Sequence, residues 1–168
     1  MERNSWGFSL FVDDIRSEMG GKLSAMGIYQ ADMIFPTTQD FPLALPRFGI
    51  LVKYYEVQNF FKDDIFIRVF FPGDSKDEPG TVVPFNRAAL DARTLPPSYE
   101  LEEDQERIFN LTFPIFISPL LIKQEGFVKV RAVCGGTTTN LGSLMIRKAR
   151  PDENLQLATL PTPPVAPG

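Results

Sequence analysis

Four charged side chains near the amino terminus have the types and the spacing that chemistry would need. Asp14, Arg16 and Glu18 alternate along one run, and Lys22 follows a glycine pair. A carboxylate in this group could act as a general base, while the ammonium group could stabilise a developing negative charge. These residues are therefore a candidate site for a small hydrolase or lyase, or for binding a ligand.

A structural interpretation of the same residues is favoured. If the chain turns at Gly20-Gly21, the three alternating residues project from one face of a strand. Counting back from that turn, the residues opposite Asp14, Arg16 and Glu18 are Gly27, Ala25 and Leu23. Arg16 would then lie between two carboxylates. Such an ion triad fixes the register of a hairpin at little net energetic gain.

The polar run must also change face along its strand. Phe8, Leu10 and Val12 share the parity of the charged residues. Because successive side chains of a strand point to opposite faces, we expect either a bulge near Asp13 or charges that interrupt the apolar face.

The remaining composition argues against catalysis. Histidine, the commonest general base and metal ligand, is absent. Cys134 is the only cysteine, which excludes an intrachain disulfide and a multi-cysteine metal site. The chain has no phosphate-binding loop and no dinucleotide-binding glycine motif. We therefore predict a protein that is not an enzyme and has no cofactor or metal.

Acidic residues near predicted strand ends leave one alternative open. They are Asp13, Asp14, Asp63, Asp64, Asp74 and Asp77. Loops at one end of a β-sandwich can gather carboxylates around calcium, as in calcium-dependent or phospholipid-binding C2-like modules. No spacing in the sequence forces these residues to converge.

Period-two alternation of apolar residues dominates the chain and predicts about seven strands. They cover residues 6–12, 23–29, 48–54, 65–71, 109–117, 128–134 and 143–147. The 15 phenylalanines provide large apolar surfaces to fill a core between sheets. We predict an all-β protein with a single β-sandwich, immunoglobulin-like or C2-like in outline.

Three further signals refine this organisation. The longest connection, residues 73–107, contains a capping-type Asn86 and good helix formers, which predict a short helix at 86–93. Pro114 cannot donate a ladder hydrogen bond, so its strand should lie at an edge or a bulge. Residues 1–150 should form the domain, and residues 151–168 a proline-rich flexible tail.

Partner surfaces can be sought among the aromatic doublets. In a strand, one member of Phe60-Phe61 and of Phe70-Phe71 should face away from the core. These residues are candidates for a surface that contacts a protein partner. Self-association through an edge strand or a phenylalanine-bearing face is expected.

Charge and hydropathy exclude other partners. The formal net charge of −4 argues against nucleic acid, and Arg147, Lys148 and Arg150 are expected to be a solvated strand end. No apolar run approaches the roughly 20 residues needed to span a bilayer. The amino terminus lacks a signal-peptide pattern, so a cytoplasmic protein is expected.

Residues 11–29, FVDDIRSEMGGKLSAMGIY, resemble the opening of a family of small uncharacterised bacterial proteins. That family has an Asp-Asp-Ile-Arg-x-Glu signature, then Gly-Lys and a Gly-Ile-Tyr step. Residues 122–131, IKQEGFVKVR, resemble its later segment. The resemblance implies a bacterial β-sandwich protein, a domain of unknown function with no catalytic residues to transfer. We expect a non-enzymatic binding or assembly module.

Overall fold

The computed structural model describes residues 4–57, 62–91, 108–150 and 153. These residues form eleven strands and one short helix, so the predicted all-β class is confirmed. In chain order the elements are β1 Ser5–Ser17, β2 Leu23–Ile28, β3 Asp32–Phe35, β4 Leu43–Leu45, β5 Phe48–Val57, β6 Ile65–Phe70, β7 Thr81–Phe85, α1 Arg87–Asp91, β8 Ile108–Ile117, β9 Leu120–Ile122, β10 Gly126–Cys134 and β11 Thr137–Lys148.

The strands form two larger sheets and one small one. The four-stranded sheet has the order β2-β1-β5-β8, and the five-stranded sheet has the order β3-β11-β10-β6-β7. Strands β4 and β9 pair separately. All pairs are antiparallel except β3 with β11, which is parallel. The predicted strand count of about seven was too low, because β3, β4, β7 and β9 contain only three to five residues each.

One buried cluster is shared by both larger sheets. The four-stranded sheet contributes Phe11, Phe48, Ile50, Val52, Tyr54, Leu111 and Ile115. The five-stranded sheet contributes Met33, Ile65, Ile67, Val69, Val128, Val130, Ala132, Cys134, Leu141, Leu144 and Ile146. The predicted alternation is confirmed in β10, where Cys134 is a buried, 3% exposed member of the inward set. Burial of these side chains is the main driving force for packing the sheets together.

The strand β1 changes face at Asp13 and Asp14. Val12 lies in a second, smaller buried cluster, and Ile15 lies in the same cluster although its parity is opposite. A Cβ built on Gly49 would meet the side chains of both residues within 3.3 Å. Of the two expected alternatives, the pairing with β2 keeps its register and shows no bulge. Asp13 and Asp14 instead interrupt the apolar residues, which continue on the same face at Ile15.

The hairpin of β1 and β2 has a register one residue away from the predicted one. Asp14 pairs with Met26 and Arg16 with Ser24. The Glu18 N–H donates to the Lys22 carbonyl at 2.8 Å, which closes a loop of three residues instead of two. Gly20 and Gly21 supply the positive φ angles of 77° and 73° that this loop requires.

The predicted short helix and edge strand are both confirmed. Helix α1 begins after Asn86, whose Oδ1 accepts the Ala89 N–H at 3.0 Å as an N-cap. Strand β8, which contains Pro114, is an edge of its sheet. Residues 92–93 of the predicted helix, and the predicted tail apart from residue 153, lie outside the described residues. In the described part of the chain, no helix combines the length and apolarity that crossing a membrane requires.

Arg147 ties the end of β11 to its neighbours. Its Nε donates to Asp32 Oδ2 at 2.6 Å, which links β11 to β3. Its two terminal nitrogens donate to both carboxylate oxygens of Glu153 at 2.6 and 2.8 Å. This strand end was expected to be basic and solvated. At this residue its positive charge is instead neutralised by two carboxylates.

This arrangement predicts an unusually acidic carboxyl group at Glu153. Hydrogen bonds from Arg147, and then from the Arg150 N–H, lower its pKa from 4.5 to about 2. Its contribution to stability is thus present above pH 4.5 and is lost as the pH falls towards 2. We expect a carboxyl ¹³C NMR titration to place the Glu153 midpoint near 2. Arg147→Gln should move the midpoint back up, and an unchanged midpoint would contradict this ion pair.

Candidate functional site on the four-stranded sheet

The face of the four-stranded sheet that points away from the main core is also apolar. We call it the outer face; its residues are Phe8, Leu10, Val12, Ile28, Leu51 and Phe116. Val12 and Leu51 form a buried cluster there together with Ile15. Leu10, Leu23 and Ala25 pack against this cluster. The sheet therefore has apolar side chains on both faces.

The register of three strand pairs brings these residues together. Leu10 of β1 is the partner of Leu51 of β5, and Val12 is the partner of Ile28 of β2. Gly49 of β5 lies between Val12 on one side and Phe116 of β8 on the other. Because paired residues on neighbouring strands share a face, these side chains form one continuous surface across all four strands.

The periphery of this surface is open to solvent. Phe8, Ile28 and Phe116 are 44%, 49% and 44% exposed. Large apolar side chains that are exposed singly are ordinary, but a contiguous group indicates an interaction surface. The outer face has such a group around a buried centre.

A charged group borders the outer face beside Phe116. Asp14 accepts from Arg16 Nε at 3.2 Å and forms an ion pair with a terminal nitrogen of Arg47 at 2.9 Å. The Arg47 guanidinium lies 4.8 Å from the centre of the Phe116 ring. The predicted triad placed Arg16 between two carboxylates, and this was wrong. Instead Asp14 lies between two guanidinium groups, because Arg47 reaches it from outside the hairpin.

The other two residues of the predicted polar cluster do not join this group. Glu18 and Lys22 are exposed at the hairpin turn, where their backbones share one hydrogen bond. Within the described residues, neither side chain forms an ion pair. The structure thus unites Asp14 with Arg16 and separates both from Glu18 and Lys22.

The aromatic doublet Phe70-Phe71 lies at the end of β6 and is not part of the outer face. Phe60 and Phe61 lie outside the described residues. Phe70 is only 7% exposed, and Phe71 packs against the main core.

Tyr29 anchors the chain just after β2. Its hydroxyl donates to Asp13 Oδ1 at 2.5 Å, and its N–H donates to the Phe11 carbonyl at 2.9 Å. Burial, and then the Asp13 carboxylate, raise the pKa of Tyr29 well above its usual value, so the phenol stays neutral. Gly27, with a φ of 66°, leaves room for the Asp13 carboxylate where a side chain would collide with it. The acidic residue at 13 is therefore a structural acceptor.

A buried ion pair was not predicted from the sequence. Glu56 at the end of β5 is fully buried, and its Oε1 lies 2.5 Å from a terminal nitrogen of Arg87 in α1. Its Oε2 accepts from the Tyr54 hydroxyl at 2.9 Å. Burial, and then the charge of Glu56, raise the pKa of Tyr54 above its usual value. The sequence contained one indication of this pair. Glu56 continues the alternation that places Val52 and Tyr54 in the core, so its charge must be paired inside the protein.

Cys134 completes this buried group. Its Sγ lies 3.8 Å from the Arg87 guanidinium, and its thiol donates to the Asp63 carbonyl at 3.4 Å. Burial raises the pKa of Cys134, so the reactive thiolate is disfavoured. Arg87 also donates from its backbone N–H to Asp64 Oδ1 at 2.8 Å. These contacts join β5, α1, β10 and the two residues before β6, and each polar group holds another in place.

Two of the acidic residues considered for calcium, Asp64 and Asp74, are engaged in structural contacts. Asp74 Oδ2 accepts the N–H groups of Phe71 and Gly80 at 2.7 and 2.9 Å. Asp64 caps the start of α1 through the Arg87 N–H. Within the described residues, no group of three or more histidine, cysteine, aspartate or glutamate side chains is placed to hold a metal ion.

Comparisons with protein-family models, with curated proteins and with solved structures found no match. Function is therefore inferred from the chemistry of the chain itself, and above all from the outer face and its charged border.

Proposed function

We propose that this protein is a non-enzymatic binding or assembly module that associates with a second copy of itself through the outer face. One observation carries the proposal: exposed Phe8, Ile28 and Phe116 surround a buried apolar centre on a sheet face with no covering element among the described strands. A buried apolar centre with a polar border is the usual anatomy of a protein interface. Phenylalanine and arginine are enriched in such interfaces.

Association through a face is favoured over association through an edge strand. Edge strand β8 contains Pro114, and edge strand β7 contains Pro84, neither of which can donate a ladder hydrogen bond. Edge strand β2 is distorted at Gly27, where φ is 66°. Edge strand β3 is only four residues long. Each edge of the two larger sheets is thus a poor template for another strand.

A second copy is the occupant that the charged border favours. Asp14 carries a negative charge, whereas Arg16 and Arg47 carry positive charges, so both signs lie at one side of the same apolar surface. In a two-fold dimer the same patch meets itself, which requires a surface that is complementary to itself. Exchange of one Asp14 partner between copies would keep each Asp14 carboxylate between two guanidinium groups.

A pair of charge insertions tests this surface. Phe116→Lys and Ile28→Lys each place an ammonium group at the proposed interface, so we expect the dissociation constant of the dimer to rise at least about tenfold. The matched control is Met19→Lys, because Met19 is 93% exposed at the hairpin turn and lies away from the outer face. Light scattering should report a mass of twice 18.9 kDa for the unmodified protein and the control, and of 18.9 kDa for the two variants. Equal association of all four proteins would overturn the proposal.

The proposed architecture is a β-sandwich of immunoglobulin-like or C2-like outline in a bacterial, cytoplasmic protein. The two larger sheets share one core, which supports that outline. The alternative of a small hydrolase or lyase has less support, because Glu18 and Lys22 lie apart from Asp14 and Arg16. The alternative of a calcium or phospholipid module is tested by calorimetry with calcium, where heat of binding would favour it.

A further inference from the structure

The outward side of the five-stranded sheet carries a compact group of cations. We call it the basic face; its residues are Phe66, Arg68, Phe70, Phe127, Lys129 and Arg131. Arg131 of β10 is the register partner of Arg68 of β6, and Lys129 is the partner of Phe70. The three cations therefore lie side by side on two central strands, with phenylalanine rings around them.

Within the described residues, these three cations have no acidic partner, unlike Arg16, Arg47, Arg87 and Arg147. Arg47, Arg87 and Arg147 each form an ion pair with a carboxylate. Arg68, Lys129 and Arg131 form none with any residue of the described ranges. The protein as a whole has a formal net charge of −4, so this local excess of positive charge is not a consequence of a basic composition.

The pairing of Arg68 with Arg131 is unfavourable for the isolated fold. Like charges that are directly opposite on neighbouring strands destabilise a sheet. Both side chains are also partly buried, which limits the screening of their repulsion by water. A bound anion would relieve this repulsion, because no carboxylate of the described residues forms an ion pair with either arginine.

Aromatic rings hold two of the cations in place. The Arg131 guanidinium lies 5.0 Å from the centre of the Phe70 ring, and the Lys129 ammonium lies 6.0 Å from the centre of the Phe127 ring. A guanidinium stacked on a ring keeps the edge that carries its N–H donors free. Those donors match the two oxygens of a carboxylate.

A surface hollow of about 150 Å³ opens beside this group. Lys76, Lys129 and Arg131 line it together with Asp74 and Glu125. Both acidic side chains are already used in backbone contacts: Asp74 accepts two N–H groups of its own turn, and Glu125 accepts the Lys148 N–H at 2.7 Å. The hollow therefore has three cations against two carboxylates, a local excess of one positive charge.

We infer that the basic face binds an acidic peptide segment of a protein partner, with carboxylates on Arg68 and Arg131 and apolar side chains on Phe66 and Phe127. A peptide fits better than a single-stranded nucleic acid. Phe127 and the register partner of Phe66 are six residues apart on β10, about 20 Å, which is too far for neighbouring bases. Phe70, between them, is 7% exposed and offers no stacking surface.

The test uses the full chain and a fluorescein-labelled peptide of sequence Gly-Phe-Asp-Asp-Glu-Asp-Glu-Phe-Gly, measured by fluorescence anisotropy. Its two phenylalanines are six residues apart, which matches the separation of Phe66 and Phe127 when the peptide is extended. We expect saturable binding that weakens as salt is raised, and at least about tenfold weaker binding after Arg68→Gln or Arg131→Gln. The matched control is Lys22→Gln, which removes one exposed charge from the other sheet and should leave binding unchanged. A peptide with Asn and Gln in place of its acids should not bind.

A second measurement separates recognition from a structural role. If the two arginines repel each other as the register indicates, Arg68→Gln should raise the melting temperature while it weakens peptide binding. A lower melting temperature with unchanged peptide binding would overturn the inference. Tighter binding of a labelled oligo-dT than of the acidic peptide would also overturn it. Because Phe116→Lys lies on the other sheet, it should leave peptide binding intact, so this test is independent of self-association.

Discussion

Replacing Arg87 with methionine should lower the free energy of unfolding by about 3–5 kcal/mol, because the variant leaves the Glu56 carboxylate buried without its counter-charge. Glu56 is fully buried, and Arg87 provides the 2.5 Å ion pair that neutralises it. Urea or thermal denaturation of Arg87→Met against the unmodified chain measures the effect.

The double variant Glu56→Gln with Arg87→Met is the matched control. It removes both charges but keeps an amide oxygen that can accept the Tyr54 hydroxyl now bound to Glu56 at 2.9 Å. We expect it to recover most of the lost stability, since replacing a buried pair by neutral groups is often nearly neutral. If Arg87→Met were as stable as the unmodified protein at pH 8, the buried pair would have no structural role.

Gly7→Ala should destabilise the protein by about 3 kcal/mol, because a methyl group at this position has no space on either side. A Cβ on Gly7 would overlap the Lys53 carbonyl oxygen of β5, and it would lie 2.8 Å from Leu141 Cδ2 of β11. The first obstacle is backbone, which cannot move aside without breaking the pairing of β1 with β5. Gly7 therefore lies at a close approach between β1 and β11.

Gly20→Ala is the control for this substitution. No atom lies within 4 Å of a Cβ built on Gly20, so only the strain of its φ of 77° opposes the change. We expect a cost of about 1 kcal/mol for that strain. Chemical denaturation of both variants compares them directly. A smaller loss for Gly7→Ala than for Gly20→Ala would contradict the close packing of β1 against β11.

Local patterns in the sequence were sufficient to predict most long strands. Alternation identified the regions of β6, β8 and β10, the capping Asn86 identified α1, and Pro114 placed β8 at an edge. These features depend on residues that are close in sequence, and each has one dominant physical cause. The hairpin of β1 and β2 was located correctly, but its register depends on loop length, which the glycine pair alone does not determine.

Features that depend on distant residues could not be predicted. Strand β3 has four residues and pairs in parallel with β11, more than 100 residues later in the chain. Strands β4 and β9 are three residues each, too short for a visible alternation. Strand β7 lies in the segment expected to be the longest connection, and its Pro84 is tolerated because β7 is an edge strand.

The candidate site was predicted only in part. Asp14 and Arg16 are together as expected, but their link to Arg47 and Phe116 depends on how β5 and β8 are placed beside β1. A sheet with apolar residues on both faces has no simple alternation to show which face is covered. The outer face is instead defined by the strand register, which places Val12 beside Ile28 and Gly49.

The most direct measurement of the central claim is the mass of the unmodified full chain as a function of concentration. Sedimentation velocity from micromolar to millimolar protein should show 18.9 kDa at the low end and twice that mass at the high end, because the outer face buries its exposed rings against a second copy. A mass of 18.9 kDa across the whole range would contradict the account.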